Sequence, residues 1–294
     1  MSEESCRYSK PIIVAEIGCN HQGEFGKAIE LIKLAKECGA SYAKFQKRNI
    51  IKLLTEEQYD LPHPYSYHSF GKTYGEHREH LEFTAEQHAL LKAHCAVLNI
   101  GYAVSVWDEI SAREIIALNP NYIKVPSACN NNLALLQILR EEYTGDIHIS
   151  LGMTTSQELL DIISLFGQWQ NGLSRLVLYA CTSGYPIKFE EVHLLEIQRL
   201  NQEYGYLTKA TGFSGHHLGI AIDVAAYALG ATWFERHFTK DRTWKGTDHA
   251  ASLEPEDLRK LVRDLQATHT ALTYKPDTVV PVELEQRKKL KYRK

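Results

Sequence analysis

The chain has 294 residues, with 33 Lys and Arg against 36 Asp and Glu and a formal net charge of −3. That near balance argues against a nucleic-acid partner, and no apolar run reaches the roughly 18 residues a membrane helix needs. The 44% hydrophobic and 23% charged fractions are those of a soluble globular protein.

Residues 11–16 form a short apolar run suited to a buried parallel strand. Residues 27–38 place Ile29, Leu31, Ile32 and Ala35 on a helical face closed by Gly39. Further strands are predicted to end near Lys44, Ser105, Lys124, Ser150, Cys181, Ser214 and Glu235. Helices are predicted over 131–140, 156–165, 190–203, 218–229 and 255–272, the last with Leu258, Leu261, Val262 and Leu265 at helical spacing. Eight strand–helix units predict an α/β fold, a TIM (β/α)8 barrel, over residues 8–272. Residues 273–294 read as a polar, basic tail.

The 61 residues from Lys44 to Ser105 exceed one βα unit. They hold an insertion, residues 49–83, rich in Tyr, His, Pro and Gly and expected to act as a lid rather than an oligomer contact. Its histidines, His63, His68, His77 and His80, lack ligand spacing and are expected at the surface. Thr84-Ala85-Glu86-Gln87 then opens the next helix as a capping box. The six cysteines, Cys6, Cys19, Cys38, Cys95, Cys129 and Cys181, form no Cys-x-x-Cys pair, and residues 1–5 are polar and acidic. Both features predict reduced thiols and a cytoplasmic location.

In a barrel, polar residues at the C-terminal strand ends carry the chemistry. Here they are Glu16, Lys44, Gln46, Ser105, Lys124, Ser127, Ser150, Ser183, Ser214, His216, Glu235 and His237. A lysine is rarely buried without a partner. Lys44 and Lys124 either pair with carboxylates such as Glu16 and Glu235, or face a small anion carrying phosphate and carboxylate together. The hydroxyls around them favour the anion. His216 and His237 end consecutive strands and suit a first-row divalent metal, with Glu16, Glu235 and Asp248 as oxygen candidates. His217 would point to the other side of its strand. Gly152-Met153-Thr154-Thr155 is a weak candidate anion cradle. There is no P-loop, GxGxxG or GxSxG motif.

Seven segments occur in order along the chain. They are Ala15-Glu16-Ile17-Gly18-Cys19-Asn20-His21-Gln22-Gly23, Ala43-Lys44-Phe45-Gln46, Tyr74-Gly75-Glu76-His77-Arg78, Ile149-Ser150-Leu151-Gly152-Met153, Phe213-Ser214-Gly215-His216, Glu235-Arg236-His237-Phe238-Thr239 and Gly246-Thr247-Asp248-His249. Together they resemble the barrel of the sialic acid synthase family. The resemblance implies a transferase that condenses phosphoenolpyruvate with an open-chain aldose, typically an N-acetylated hexosamine. The product is a 2-keto-3-deoxy sugar acid, phosphate leaves by C–O cleavage, and a divalent metal, Mn²⁺ or Mg²⁺, assists.

Carried over position by position, Lys44, Ser105, Lys124, Ser127, Ser150, Ser183 and Ser214 would bind phosphoenolpyruvate. His216 and His237 would hold the metal, Gln46, Tyr185 and Asp248 would face the acceptor, and Glu16 or Glu235 would handle protons. A homodimer is also implied. The chain departs from the pattern at Ser127-Ala128-Cys129-Asn130, which lacks a carboxylate, at Gly215 in place of Asp, and at Ser105 and Ser183 in place of Thr and Asn. The family's antifreeze-protein-like domain, which lends an arginine to the partner's acceptor site, is expected to be missing after Lys294. These departures predict weak turnover of N-acetylmannosamine, with Tyr65, Tyr67, Tyr74 and His77 of the insertion covering the acceptor. Two other readings are a metal-dependent sugar aldolase or isomerase and a non-catalytic sugar-acid-binding barrel. The joint presence of Lys44, Lys124, His216, Glu235 and His237 disfavours the last.

Overall fold

The computed structural model describes residues 9–292. The acidic opening segment, Cys6, the first residue of the expected barrel span and the last two residues of the tail lie outside the described residues.

Eight strands form a closed, all-parallel barrel: β1 (Ile12–Gly18), β2 (Tyr42–Lys47), β3 (Gly101–Val106), β4 (Tyr122–Val125), β5 (Asp146–Ser150), β6 (Leu176–Cys181), β7 (Ala210–Ser214) and β8 (Trp233–His237). Closure is made by β8 pairing with β1, Glu16 opposite His237. The helices are α1 (Phe25–Glu37), α2 (Ile50–Leu53), α3 (Glu56–Asp60), α4 (Tyr74–His80), α5 (Ala85–Val97), α6 (Glu109–Leu118), α7 (Leu133–Glu142), α8 (Ser156–Gly167), α9 (Glu196–Tyr204), α10 (Ala221–Ala228), α11 (Pro255–Ala271) and α12 (Leu284–Leu290). Among the described residues no helix is long and apolar enough to cross a membrane.

Strand periodicity of two separates core from site. On β1, Ile13, Ala15 and Ile17 pack outward against the helices, while Val14 and Glu16 take the other side. The lower barrel is filled by Val14, Ala103, Tyr122, Val177, Tyr179 and Trp233, with Tyr42 against them. Tyr122 stacks on His148 at 3.8 Å between ring centroids. Gly212 leaves the space that Tyr179 needs, since a Cβ there would lie 2.6 Å from its ring. This plug makes the barrel a floor on which the next inward residues stand. Outside, α11 buries Leu258, Leu261, Val262 and Leu265, each worth about 1.5–3 kcal/mol when fully removed from water.

Three predicted helices differ at their ends. The segment 190–203 is a short turn at Phe189–Glu191 followed by α9, because His193 takes φ +51° between them. The segment 218–229 starts only at Ala221, where Gly219 has φ +77° and its carbonyl accepts from Arg236. The segment 131–140 begins instead at Leu133, where the Asn132 side chain caps the Leu135 N–H at 3.1 Å. The tail also carries the exposed helix α12.

The insertion folds as α2, α3 and α4 with its own aromatic centre. His63 and His77 are buried there, not at the surface as expected, with ring centroids 4.4 Å apart. Phe70 stacks on the exposed His80 at 4.9 Å. The segment is too short for an aliphatic core, so imidazole and phenyl rings fill it. It is tied to the barrel by His80 Nε2 to the Gln22 carbonyl at 3.1 Å and by the Gly246 N–H to His68 Nδ1 at 3.0 Å.

Candidate active site

The mouth of the barrel holds a cavity of about 690 Å³, within the range of small-molecule sites. All fourteen residues singled out at the strand ends and by the resemblance line it. The alternation that fills the floor with aromatics brings Glu16, Lys44, Ser105, Lys124, Ser150, Ser214, Glu235 and His237 up to the mouth.

Lys44 is 1% and Lys124 3% exposed, so each requires a counter-charge. Lys44 Nζ lies 2.5 Å from Glu16 Oε2, donates to Ser105 Oγ at 2.7 Å, and is 3.6 Å from Glu235 Oε1. Lys124 Nζ donates to Glu235 Oε1 at 2.6 Å and stands 4.6 Å over the Tyr179 ring. Gln46 Nε2 donates to Glu16 Oε1 at 2.9 Å. Both sequence readings of the lysines therefore meet in one arrangement: they pair with the two glutamates and face the cavity. The two carboxyls differ. Burial lifts Glu16 above the usual carboxylate range, with the charge of Glu235 adding to it and Lys44 opposing. Against the same burial, Lys124 and then Lys44 hold Glu235 down to about 2.

Beside this pair stand the serine hydroxyls. Ser127 Oγ accepts from the Gly152 N–H at 3.0 Å, and a Cβ on Gly152 would meet Ser183 Oγ at 2.4 Å and Ser127 Oγ at 2.8 Å. Glycine is what lets the two hydroxyls converge. Ser150 Oγ and Glu235 Oε2 are buried with no hydrogen-bond partner in the protein. Unmet polar atoms at the foot of an open cavity mark a ligand position.

His216 and His237 face each other with ring centroids 5.6 Å apart, and Tyr185 packs 4.2 Å from His216. His216 Nδ1 donates to the Thr182 carbonyl at 2.8 Å, leaving Nε2 as a lone-pair donor. Burial first, and His237 second, push the His216 pKa down to about 3, so the ring is neutral. His237 Nδ1 is buried without a hydrogen-bond partner, and Asp248 Oδ2 is 3.9 Å from it. These donors fit a divalent cation with positions left for water and substrate. Among the described residues no three His, Cys, Asp or Glu side chains form a ready-made cluster, since Glu16 and Glu235 are turned to the lysines. His217 points away as expected and joins a buried network, 3.1 Å from Asp223 Oδ2, with Arg236 on the same carboxylate.

The insertion's share of the lining differs from expectation. Of its residues, Tyr65, His68 and Arg78 line the cavity, whereas Tyr67, Tyr74 and His77 do not. Arg48 and Trp107 also line it and carried no sequence signal. Arg48 is 4% exposed, with Nε donating to Glu82 Oε1 at 2.7 Å and its guanidinium 5.0 Å over Trp107. Arg78 lies inside the Tyr74–Arg78 segment but was not singled out.

A family model described as the NeuB family matches residues 31–276. The chain is 38% identical over 278 residues to the N-acetylneuraminate-9-phosphate synthase of Homo sapiens, covering 95% of this chain and 76% of that protein. It is 34% identical over 262 residues to the N,N'-diacetyllegionaminic acid synthase of Legionella pneumophila, covering 88% and 72%. Among solved structures, the N-acetylneuraminic acid synthetase of Leptospira borgpetersenii in complex with citrate superposes with a TM-score of 0.80 at 26% identity. That likeness covers 97% of this chain and 94% of the other.

Proposed function

The chain belongs to the NeuB family, and from that premise we propose that it joins phosphoenolpyruvate to the aldehyde carbon of an open-chain aldose. The new bond links C3 of phosphoenolpyruvate to the aldehyde carbon, whose oxygen takes up a proton. One water adds at C2, the bond from C2 to the phosphate oxygen breaks, and inorganic phosphate leaves with a 2-keto-3-deoxy sugar acid.

The observation that carries this reading is the pair of buried lysines on the aromatic floor, ringed by Ser105, Ser127, Ser150, Ser183 and Ser214. Phosphoenolpyruvate has close to three negative charges on a small frame, and this ring offers two cations and several donors at matching scale. An aldolase or isomerase needs no such anion pocket.

Lys44, Lys124 and the hydroxyls hold phosphoenolpyruvate against the floor. A divalent cation, Mn²⁺ or Mg²⁺, held by His216 and His237 would supply Lewis-acid polarisation of the aldehyde. Gln46, Tyr185 and Asp248 orient the acceptor on the outer side. Glu16, whose environment favours proton binding, handles the proton of the adding water, and Glu235 stays ionised as the fixed counter-charge of Lys124. A cytoplasmic homodimer belongs to the same reading.

The test is incubation with phosphoenolpyruvate, Mn²⁺ and a panel of aldoses and their phosphates. Phosphate release that depends on the aldose is expected. Its absence with every member of the panel would overturn the reading.

A further inference from the structure

Arg236 stands between Glu235 and His237 on β8. The alternation that sends those two side chains into the cavity sends its guanidinium outward, behind the strand. It is 1% exposed and lies 2.5 Å from Asp223 Oδ2 on α10, itself fully buried. Charge balance alone does not call for an arginine here, since a buried ion pair can often give way to apolar side chains of similar volume without loss of stability. The guanidinium also grips the loop between β7 and α10. Nη2 donates to the His217 carbonyl at 2.7 Å, and Nη1 donates to the Gly219 carbonyl at 2.9 Å.

That loop carries His216. The two imidazoles of the mouth are held differently. His237 is the last residue of β8 and sits opposite Glu16 in the sheet, so the ladder fixes its backbone. His216 lies two residues beyond the end of β7. Just before it, the Gly215 N–H still reaches the Glu235 carbonyl at 3.2 Å, and the His216 carbonyl accepts from the Ile187 N–H at 3.2 Å. Just after it, the two bonds from Arg236 take over. One side chain of β8 therefore ties the backbone that follows His216 to the strand that presents His237.

We propose that Arg236 is a positioning residue that sets the spacing of His216 and His237 and thereby the affinity of the divalent-cation site. The inference rests on the synthase reading, in which these two imidazoles hold the cation. Asp223 keeps the guanidinium where it reaches both carbonyls. A planar fork can donate to two carbonyls and a carboxylate at once, whereas a lysine ammonium is a single point of charge.

The experiment compares the natural protein with Arg236→Lys and Arg236→Met. Mn²⁺ binding is followed by electron paramagnetic resonance, and phosphoenolpyruvate binding by titration calorimetry on the metal-free proteins. Arg236→Lys keeps a cation beside Asp223, so the fold should survive even if the Met variant folds poorly, which circular dichroism checks. Its Mn²⁺ affinity is expected to fall at least about tenfold, the scale of losing a group that orients a metal ligand. Phosphoenolpyruvate affinity should be unchanged, because the lysines and serines of that site do not touch the loop that Arg236 holds. Unchanged Mn²⁺ affinity in folded Arg236→Lys, or an equal fall in both affinities, would overturn the positioning role. Absence of Mn²⁺ binding by the natural protein would overturn the cation site and this inference with it. A selective loss of Mn²⁺ affinity supports the inference even if no aldose gives phosphate release, and that result would overturn only the synthase reading.

Discussion

Lys124 and Glu235, 111 residues apart in the chain, meet at 2.6 Å across the barrel mouth, both almost wholly out of water. Removing Lys124 leaves Glu235 buried with Lys44, at 3.6 Å, as its remaining cation, a loss of at most about 3–5 kcal/mol. Lys124→Met is therefore expected to lower unfolding free energy and also to weaken phosphoenolpyruvate binding roughly tenfold to a hundredfold, from a lost charge-assisted contact. Lys124→Met combined with Glu235→Gln should recover much of the stability and none of the binding. Denaturant titration and calorimetry on the same proteins separate the two effects. Unchanged phosphoenolpyruvate affinity in Lys124→Met would remove the lysine from the anion site.

The two imidazoles at the mouth give a second expectation. His216→Ala and His237→Ala should each lower Mn²⁺ affinity by at least about tenfold and abolish turnover. Both side chains project from strand ends, so the fold should survive, which circular dichroism checks. Full activity after EDTA treatment and metal-free dialysis would show that the reaction needs no cation.

Gly152 allows a sharper probe of the hydroxyl ring. Alanine there places a methyl 2.4 Å from Ser183 Oγ and 2.8 Å from Ser127 Oγ. The backbone can accept the substitution, because Gly152 is not among the residues with positive φ. Gly152→Ala should raise the KM for phosphoenolpyruvate by about tenfold, the equivalent of one lost contact, with little change in melting temperature. An unaltered KM would place phosphate binding elsewhere in the cavity.

Acid stability follows from two buried histidines that do not line the cavity. His21 stacks on Phe83 at 4.2 Å, and His88 Nδ1 is bonded to Tyr102 Oη at 2.7 Å. Burial, the leading cause for each, pushes both pKa values down to about 3 from 6.5. Above pH 6.5 both rings are neutral whether folded or unfolded, and they impose no penalty. As pH falls below 6.5 the unfolded chain binds two protons that the folded chain refuses, so stability falls until about pH 3. Each ring contributes a slope of about 1.4 kcal/mol per pH unit. His88→Phe should reduce the measured slope between about pH 5.5 and 4 by that amount. Equal slopes in the two proteins would show that His88 is charged in the fold.

The barrel and the inner half of the site were legible from local pattern. A strand's side chains alternate faces, so an apolar strand ending in Lys44, Ser105, Lys124 or Glu235 announces both a buried element and a polar group at its mouth. The in-order motifs from Ala15 to His249 carried the family for the same reason, since five of the seven are short segments at one strand end, Tyr74–Arg78 lying on α4 and Gly246–His249 in the loop after β8. Helix ends were less legible, because positive φ at His193 and Gly219 comes from packing and loop geometry.

Partner choice was decided only by the tertiary structure. Whether Lys124 meets Glu235 or another carboxylate depends on the register of all eight strands around a closed ring, and no local window encodes that sum. The insertion illustrates the same limit. In sequence, Glu76, His77, Arg78 and Glu79 look like a solvated charged stretch. In the fold, His77 becomes core, Glu79 accepts from Tyr59, and Arg78 is left facing the cavity without a counter-ion among the described residues. A short insertion has no aliphatic core to orient it, so the direction of each side chain is set by the surface on which it settles.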